Sequence, residues 1–244
     1  MAILIFKNKE EQADWKDVKN FSVTDIQAPS ISDVYNLGQE IEDKELQAFY
    51  YMLYLSAGRV SEVLQIQHSD IQDRTYHGHH VKEIHLVNEK NKKKNLKTVI
   101  IPIDNEYEQK MWTYIQPYYE HSYENQPLFP NLNIKSISRN QIYNLLSKYK
   151  FKNLKTINPN NRRYYQVDLI LFPHFIRHCR LSHLVILYNM SPEQLKSIAG
   201  WSSVNVSSSY VSLNGNSFVD NFYNNSNNST NKEQNKEENN STQN

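Results

Sequence analysis

The chain has 244 residues, of which 39% are hydrophobic and 22% charged, and its formal net charge is +1. This length suits one domain of good size or a medium domain with tails. The single cysteine, Cys179, excludes an internal disulfide and a multi-cysteine zinc site. No apolar run approaches the about 18–20 residues of a membrane span, and the N-terminus is too short in apolar residues for a signal peptide, so we expect an intracellular protein.

The first sixty residues pass from a polar segment into helical patterns. Residues 1–29 are polar and mixed, which predicts a leader or linker with room for one short element. Either Ser30 or Ser32 can cap a following helix. Residues 43–57 place apolar side chains at the i, i+3 and i+4 spacing of a helix, and Gly58 stands where that helix would break.

The middle of the chain changes to strand patterns and then returns to helices. Residues 82–88 and 97–102 alternate apolar and polar side chains as strands do, and the Asn- and Lys-rich stretch between them predicts a hairpin loop. Helical patterns follow at 105–119 and 138–150. From 151 to 173 the chain is basic, and we expect irregular structure there.

The clearest helix signals lie near the C-terminus. Pro173 precedes a helical pattern over 174–189. Ser191 and Gln194 fit the N-cap and the capping-box partner of a further helix. Gly200 fits the end of that helix, because glycine adopts the left-handed conformation that helix ends require.

The net charge is distributed unevenly along the chain. Residues 1–47 hold five Lys and ten acidic residues, and residues 216–244 hold two Lys and four acidic residues, so the net +1 of the whole chain leaves +8 for residues 48–215. Within that range, 90–97 holds five cations and 148–163 holds six. Clustered cations are what phosphate binding with release of counterions requires, although solvated lysine loops have the same composition.

Four short stretches contain the side chains that are best suited to catalysis or ligand binding. They are residues 57–64, the lysine-rich stretch 90–97, residues 173–178 and residues 200–210. Each has an ordinary structural interpretation when taken alone. Arg59 can form a salt bridge with Glu62, and His174 and Arg177 can form a polar patch at i, i+3 spacing. Any one of the 17 tyrosines is by itself more often a core or surface residue than a catalytic one.

Taken in order, these motifs resemble the signature of the tyrosine recombinase, or phage integrase, family. That signature has an Arg in a tGxRxsE turn, a Lys in a β-hairpin, an HxxRH helix, a Gly-His or Gly-Trp pair and a nucleophilic Tyr. The chain has Arg59-x-x-Glu62, a lysine-rich hairpin that ends in Val-x-x-Pro, His174-x-x-Arg177-His178, Gly200-Trp201, and Tyr210 nine residues after Trp201.

The resemblance implies that side chains supply every reacting group for cutting DNA, with no metal or other cofactor. Tyr210 would attack a DNA phosphate and form a 3′-phosphotyrosyl bond, which keeps the bond energy for rejoining. Arg59 and Arg177 would hold the non-bridging oxygens, since a guanidinium is planar and stays charged. His174 would act in acid–base chemistry around the attacking phenol, whose pKa is ordinarily about 10. Lys90 would protonate the leaving 5′ oxygen.

The resemblance also assigns supporting residues. Trp201 would donate its indole N–H to the phosphate, while Glu62 and His178 would support the reacting groups. Lys90 matches the family's lysine at the end of the strand, but three further lysines are close rivals for its role, namely Lys92, Lys93 and Lys94. The residues expected to contact DNA are Lys92, Lys93, Lys94, Arg162 and Arg163.

The resemblance covers about residues 30–213, which we expect to form the catalytic domain between the leader at 1–29 and a disordered Asn-rich tail at 214–244. It implies an α+β fold that is mainly helical, with a small antiparallel sheet of about three strands beside the site. Most members also carry a helical core-binding domain ahead of the catalytic domain, and residues 1–29 are too few for one, because domains have about 50 residues or more. Either the catalytic domain works alone, or the sequence is the C-terminal part of a longer protein.

The implied function is that of a site-specific recombinase or integrase. Its partners would be double-stranded DNA at specific sites and further copies of the chain, as a dimer or tetramer on that DNA. We expect it in the cytoplasm near the nucleoid of a prokaryotic host, encoded by a virus or mobile element. Two alternatives stay open: a nicking and resealing enzyme like the type IB topoisomerases, and an integrase fragment that has lost activity and only binds DNA.

Overall fold

The computed structural model describes residues 4–18, 21–87, 96–103, 105–121, 125–134 and 139–213. The helices within these ranges are α1 (Lys9–Asp14), α2 (Ile31–Gln39), α3 (Lys44–Leu55), α4 (Val60–Leu64), α5 (Glu106–Glu120), α6 (Pro130–Ile134), α7 (Arg139–Leu146), α8 (Pro173–Ile186), α9 (Pro192–Ala199) and α10 (Asn205–Leu213). The strands are β1 (Leu4–Phe6), β2 (Ile71–Tyr76), β3 (His79–Val87), β4 (Leu96–Pro102), β5 (Lys150–Ile157) and β6 (Tyr164–Ile170). The expected mainly helical α+β class is confirmed.

Helix α3 lies at the centre of the core and is buried on all sides from Glu45 to Leu55. It packs against α2, α5 and α8. A helix with apolar residues around its whole circumference is stable only when it is enclosed. Its tyrosines satisfy their hydroxyls inside the core, because Tyr50 donates to the carbonyl of Val34 at 2.9 Å and Tyr51 donates to that of Tyr35 at 2.8 Å.

The first sheet has the antiparallel order β2-β3-β4. Strands β3 and β4 match the two predicted strands, whereas β2 was not predicted. Burial alternates strictly along β4, so Lys97, Val99 and Ile101 face the core while Leu96, Thr98 and Ile100 face outward. The predicted hairpin loop between the two strands falls at 88–95, outside the described residues.

The second sheet has the antiparallel order β1-β6-β5, and it corrects the expectation of irregular structure over 151–173. The register of β5 shifts between Phe151 and Leu154, and Asn153 has a φ of +55°. Such a bulge inserts residues into the strand, so the two-residue period that marks a strand in sequence is interrupted. For this reason the pattern did not reveal β5.

Part of the segment predicted as a leader contributes to this second sheet. Strand β1 pairs with β6, and Ile26 is buried and bridges to Thr156 of β5. Trp15 packs edge-on against Phe21 and Tyr165 at 5.1 and 5.8 Å between ring centroids. The tail predicted at 214–244 lies outside the described residues.

The helix-end signals are found where the sequence placed them. Ser30 caps α2, and Ser191 caps α9 by accepting from the backbone N–H of Gln194 at 3.3 Å. Gly200 ends α9 with a φ of +64°. No helix among the described residues is long and apolar enough to cross a membrane.

Two buried histidines of α8 join this helix to the segment ahead of α2. The Nε2 of His178 donates to the carbonyl of Ile26 at 3.0 Å, and the Nε2 of His183 donates to that of Pro29 at 2.7 Å. Burial lowers the pKa of each imidazole to about 4, which outweighs the opposing effect of the carbonyl contacts. Both rings are therefore neutral at physiological pH.

We predict that stability falls as the pH drops from 6.5 to 5. The unfolded chain binds protons in this window, because its histidines titrate at a pKa of about 6.5 while the buried ones resist protonation, so each buried histidine contributes a slope approaching about 1.4 kcal/mol per pH unit. His178→Gln should reduce the slope of the unfolding free energy by about half in urea titrations. His77→Gln on the exposed β2–β3 turn is the control, and an unchanged slope in His178→Gln would contradict the prediction.

We also predict that Gly38→Ala destabilises the protein, although alanine is the better helix former by about 1 kcal/mol. A Cβ on Gly38 would lie 2.4–2.5 Å from atoms of the Tyr51 side chain, which is fully buried. Overpacking of this kind costs about 1–3 kcal/mol, so the net change measured by urea unfolding should be a loss. Asn36→Ala, at an exposed position of the same helix, should be neutral or slightly stabilising.

Candidate active site

A cleft of about 1090 Å³ opens between the start of α4, strand β4, and helices α7, α8 and α9. Four of the six residues predicted to be catalytic line this cleft, namely Arg59, His174, Arg177 and Trp201. The tertiary structure thus brings together side chains that lie up to 142 positions apart in the sequence. Lys90, Lys92, Lys93 and Lys94 lie outside the described residues.

The turn between α3 and α4 places Arg59 at the edge of the cleft. In this turn Ala57 has a φ of +46°. At the next position a Cβ on Gly58 would lie 2.5 Å from the side chain of Val63, so position 58 requires glycine. Arg59 then begins α4. Its backbone N–H and its Nη1 donate to the two carboxylate oxygens of Glu62 at 2.9 and 2.5 Å.

Glu62 is the shared anion of the site. Its side chain is completely buried, and besides Arg59 it pairs with Lys97 Nζ at 2.8 Å, while Arg177 Nη1 lies at 4.0 Å. Burial alone would raise the pKa of Glu62, but the ion pair with Lys97 and the contacts with Arg59 lower it below its usual value. The carboxylate is therefore ionised and draws three cations into one cluster.

Lys97 is a residue of the cleft that sequence reasoning missed. The sequence suggested only that it belonged to the lysine-rich stretch at 90–97. The signal that could have distinguished it is the two-residue period of β4, which puts it on the same face as Val99 and Ile101. A lysine in register with apolar residues is expected to be buried and paired.

Arg177 is held by the backbone on both sides of the cleft. Its Nη1 donates to the carbonyl of Ala57, and its Nη2 donates to that of Ala199 at 2.6 Å. Its guanidinium lies 5.9 Å from the ring centroid of Trp201. Burial, together with the nearby Arg59, lowers the pKa of Arg177 to about 10, so it remains charged at neutral pH.

The two histidines of the HxxRH helix have different environments. His174 lies in the first turn of α8, is exposed, and lines the cleft. His178 lies one turn further on and is buried, and its ring packs at a tilt against those of Phe175 and Tyr210, with centroids 5.5 and 5.4 Å apart. Of these two, only His174 can exchange a proton with a molecule in the cleft.

Tyr210 lies on α10 beneath Trp201 and does not line the cleft. Its residue exposure is 5%, and its ring stacks on that of Trp201 at 5.7 Å and 29°. Apolar side chains of α8 and α9, including Leu181 and Leu195, complete the surrounding cluster. Burial raises the pKa of Tyr210 to about 12, against the lowering effect of Arg177. The phenol is therefore protonated in this arrangement.

The two arginines predicted to contact DNA are not among the residues that line the cleft. Arg162 and Arg163 are exposed in the turn between β5 and β6. On the neighbouring outward face, Lys155 lies over the exposed ring of Tyr164 at 4.4 Å. This turn therefore presents cations to the solvent.

Two solved structures share this fold. The XerH site-specific recombinase bound to difH substrate, in a pre-cleavage complex, has a TM-score of 0.50 at 15% identity, covering 74% of this chain and 48% of that chain. The same recombinase bound to palindromic difH substrate, in a post-cleavage complex, has a TM-score of 0.52 at 14% identity, covering 77% and 49%. This chain thus spans about half the length of XerH, and at these identities the likeness is one of fold.

The fold is that of the tyrosine recombinases. The sequence profile of the Phage integrase family matches residues 23–216, and the chain belongs to that family. The resemblance drawn from the ordered motifs is therefore confirmed. None of the curated proteins matches this sequence significantly.

We predict that ring packing, and not the hydroxyl, holds Tyr210 in its buried position. No hydrogen bond to this hydroxyl is found within the described part of the chain, so Tyr210→Phe should change the free energy of unfolding by no more than about 0.5 kcal/mol. Tyr210→Ala should lower it by about 3 kcal/mol, since it leaves a cavity the size of an aromatic ring. Urea unfolding of both variants, with the exposed Tyr164→Ala as control, makes the comparison. Equal losses in the two Tyr210 variants would show that the hydroxyl is bonded.

Proposed function

We propose that this chain is the catalytic part of a site-specific DNA recombinase of the integrase type, which breaks and rejoins DNA through a 3′-phosphotyrosyl intermediate. The observation that carries the proposal is the cluster of Arg59, Lys97 and Arg177 around the single carboxylate of Glu62 at the wall of one cleft. Three cations and one anion leave an excess of two positive charges. A phosphodiester is the anion that paired guanidinium groups bind best.

The contacts of Arg177 support a role in holding phosphate. An arginine has five N–H donors in a rigid fork, and the described contacts of Arg177 use its two Nη atoms on the carbonyls of Ala57 and Ala199. These bonds fix the plane of the guanidinium before any ligand arrives. The remaining N–H groups can then meet phosphate oxygens without reorganisation, which is how preorganised donors stabilise a transition state.

The proposed reaction is a transfer of the phosphoryl group to Tyr210. The phenol oxygen forms a bond to phosphorus, its proton passes to His174, and the bond from phosphorus to the 5′ oxygen breaks. A lysine of the β3–β4 hairpin, for which Lys90 is the sequence-based candidate, protonates that leaving oxygen. Attack by a 5′ hydroxyl of another strand reverses the step and rejoins DNA. Every reacting group in this scheme is a side chain.

The observed position of Tyr210 adds a requirement to this scheme. Because Trp201 covers its ring and its raised pKa keeps the phenol protonated, Tyr210 has to leave the apolar cluster before it can attack. Helix α10, which carries Tyr210 and packs on α8 and α9, would have to shift for this to happen. We infer that DNA binding selects this second position of α10.

We propose double-stranded DNA as the partner, bound through its backbone by Arg162 and Arg163 and by the hairpin lysines Lys92, Lys93 and Lys94. The two XerH structures are of a site-specific recombinase bound to its difH substrate, which fits this proposal. Strand exchange joins at least two DNA duplexes, so we also propose that the chain self-associates on DNA. A prokaryotic cytoplasm and a viral or mobile-element origin are the setting we propose for it.

The test is capture of a covalent protein–DNA adduct from a library of nicked duplexes with a randomised central segment, since a nick lets the leaving strand diffuse away. Wild-type protein should form a denaturant-resistant adduct whose tryptic peptide contains Tyr210, and Tyr210→Phe should form none. Tyr143→Phe is the matched control, because Tyr143 also lines the cleft and should not carry the adduct.

An equal adduct yield from Tyr210→Phe would refute the assignment of the nucleophile. If no adduct forms with nicked duplexes or four-way junctions while DNA is still bound, the chain is a binding module. Relaxation of supercoiled plasmid without exchanged products would instead indicate a topoisomerase.

A further inference from the structure

Lys97 occupies an unusual position for a lysine. Its side chain is 4% exposed, it faces the core side of β4, and its Nζ lies 2.8 Å from Oε2 of the fully buried Glu62. Burial, together with the neighbouring Arg177 and Arg59, lowers the pKa of Lys97 to about 8, against the opposing effect of the Glu62 charge. This ammonium group is thus held at a cost in free energy.

A structural salt bridge is an insufficient reason for this arrangement. Glu62 is already satisfied by Arg59, whose Nη1 binds Oε1 and whose backbone N–H binds Oε2. A buried pair of this kind is often no more stabilising than apolar residues of similar volume. A third cation on the same carboxylate therefore points to a role in arranging its neighbours.

The geometry around Oε2 shows what that role is. Arg177 Nη1 lies 4.0 Å from Oε2, beyond hydrogen-bond distance, whereas Lys97 Nζ takes the direct contact at 2.8 Å. Without Lys97, the nearest cation able to replace it is Arg177. A direct bond from Arg177 to Glu62 would turn the guanidinium away from the carbonyls of Ala57 and Ala199 that now fix its plane.

We propose that Lys97 is a positioning residue of the candidate active site, which occupies Oε2 of Glu62 and thereby keeps the Arg177 guanidinium directed at the bound phosphate. This inference rests on the proposed function for its phosphodiester substrate. It also completes the charge balance of the site. Once the proton of Tyr210 has passed to His174, attack on a phosphodiester gives a transition state with two negative charges at the phosphoryl group, which the two excess positive charges of the cluster match.

Lys97 is distinct from the proton donor in this scheme. Its Nζ contacts the buried carboxylate, so it acts through Glu62 and Arg177 and not on the leaving oxygen. The distinction can be measured with a DNA substrate in which sulfur replaces the 5′-bridging oxygen. This sulfur leaves as a thiolate, which needs no proton donor because the pKa of a thiol is only about 8.5. A variant that lacks the proton donor regains its rate on such a substrate, whereas a variant with misplaced arginines does not.

The experiment compares wild type with Lys97→Met in two measurements. The first is the rise in Tm produced by inorganic phosphate, which should be clear in wild type and reduced at least twofold in Lys97→Met. The second is the rate of adduct formation on a nicked duplex recovered from the library described above. This rate should fall at least about tenfold in Lys97→Met, which is the loss expected for a contact to a charged group. The 5′-bridging sulfur should not restore this rate.

The matched control is Lys82→Met. Lys82 is a second buried lysine of the same sheet, with a side chain 9% exposed and paired to Asp73, but it lies against Trp112 and Tyr119 outside the cleft. Its loss should lower Tm without changing the phosphate response or the adduct rate. Lys97→Ala, which also removes the cation beside Oε2 of Glu62, replaces Lys97→Met if the latter does not fold.

The outcomes separate this inference from the proposed function. A wild-type adduct that Lys97→Met forms at the same rate overturns the inference and leaves the function in place. A rate restored by the bridging sulfur also overturns it, because Lys97 would then be the proton donor. A phosphate response lost in Lys97→Met, with no adduct on any DNA, supports the positioning role and overturns the function. Absence of a phosphate response in wild type overturns the inference.

Discussion

The carboxylate of Glu62, which has no exposed surface, is the constraint around which the site is built. A buried anion has to be paired, and here the pairing cations come from the turn before α4, from β4 and from α8. One charge thus ties three separate elements together. Because three cations surround this one anion, the cluster keeps an excess of positive charge at the cleft, which is the property a phosphate site needs.

Arg177 connects this cluster to the backbone of the fold. By donating to Ala57 and Ala199, it joins the turn after α3 to the end of α9. The left-handed conformations of Ala57 and Gly200 beside these carbonyls belong to the same arrangement. Arg177 thus holds the strained turn after α3 and the end of α9, and it is also proposed to bind the phosphate. The integrity of the fold and the binding of phosphate therefore depend on the same residue.

Sequence reasoning selected some residues that the tertiary structure also brings together. The order of Arg59, His174, Arg177 and Trp201 identified residues that the fold does bring to one cleft, and the caps at Ser30 and Ser191 follow from short-range hydrogen bonding. It failed for β5, where a bulge interrupts the alternation. It also overlooked the burial of Lys97, because a run of lysines has the composition of an exposed loop.

The sequence by itself determined the family of the chain, the helix ends and the set of charged residues in its motifs, because each depends on residue type at fixed spacing. Only the tertiary structure decided which cations share Glu62 and that Tyr210 is packed under Trp201. The reason is physical. Pairing of buried charges and the covering of an aromatic ring depend on distances between elements far apart in the chain, which local patterns do not contain.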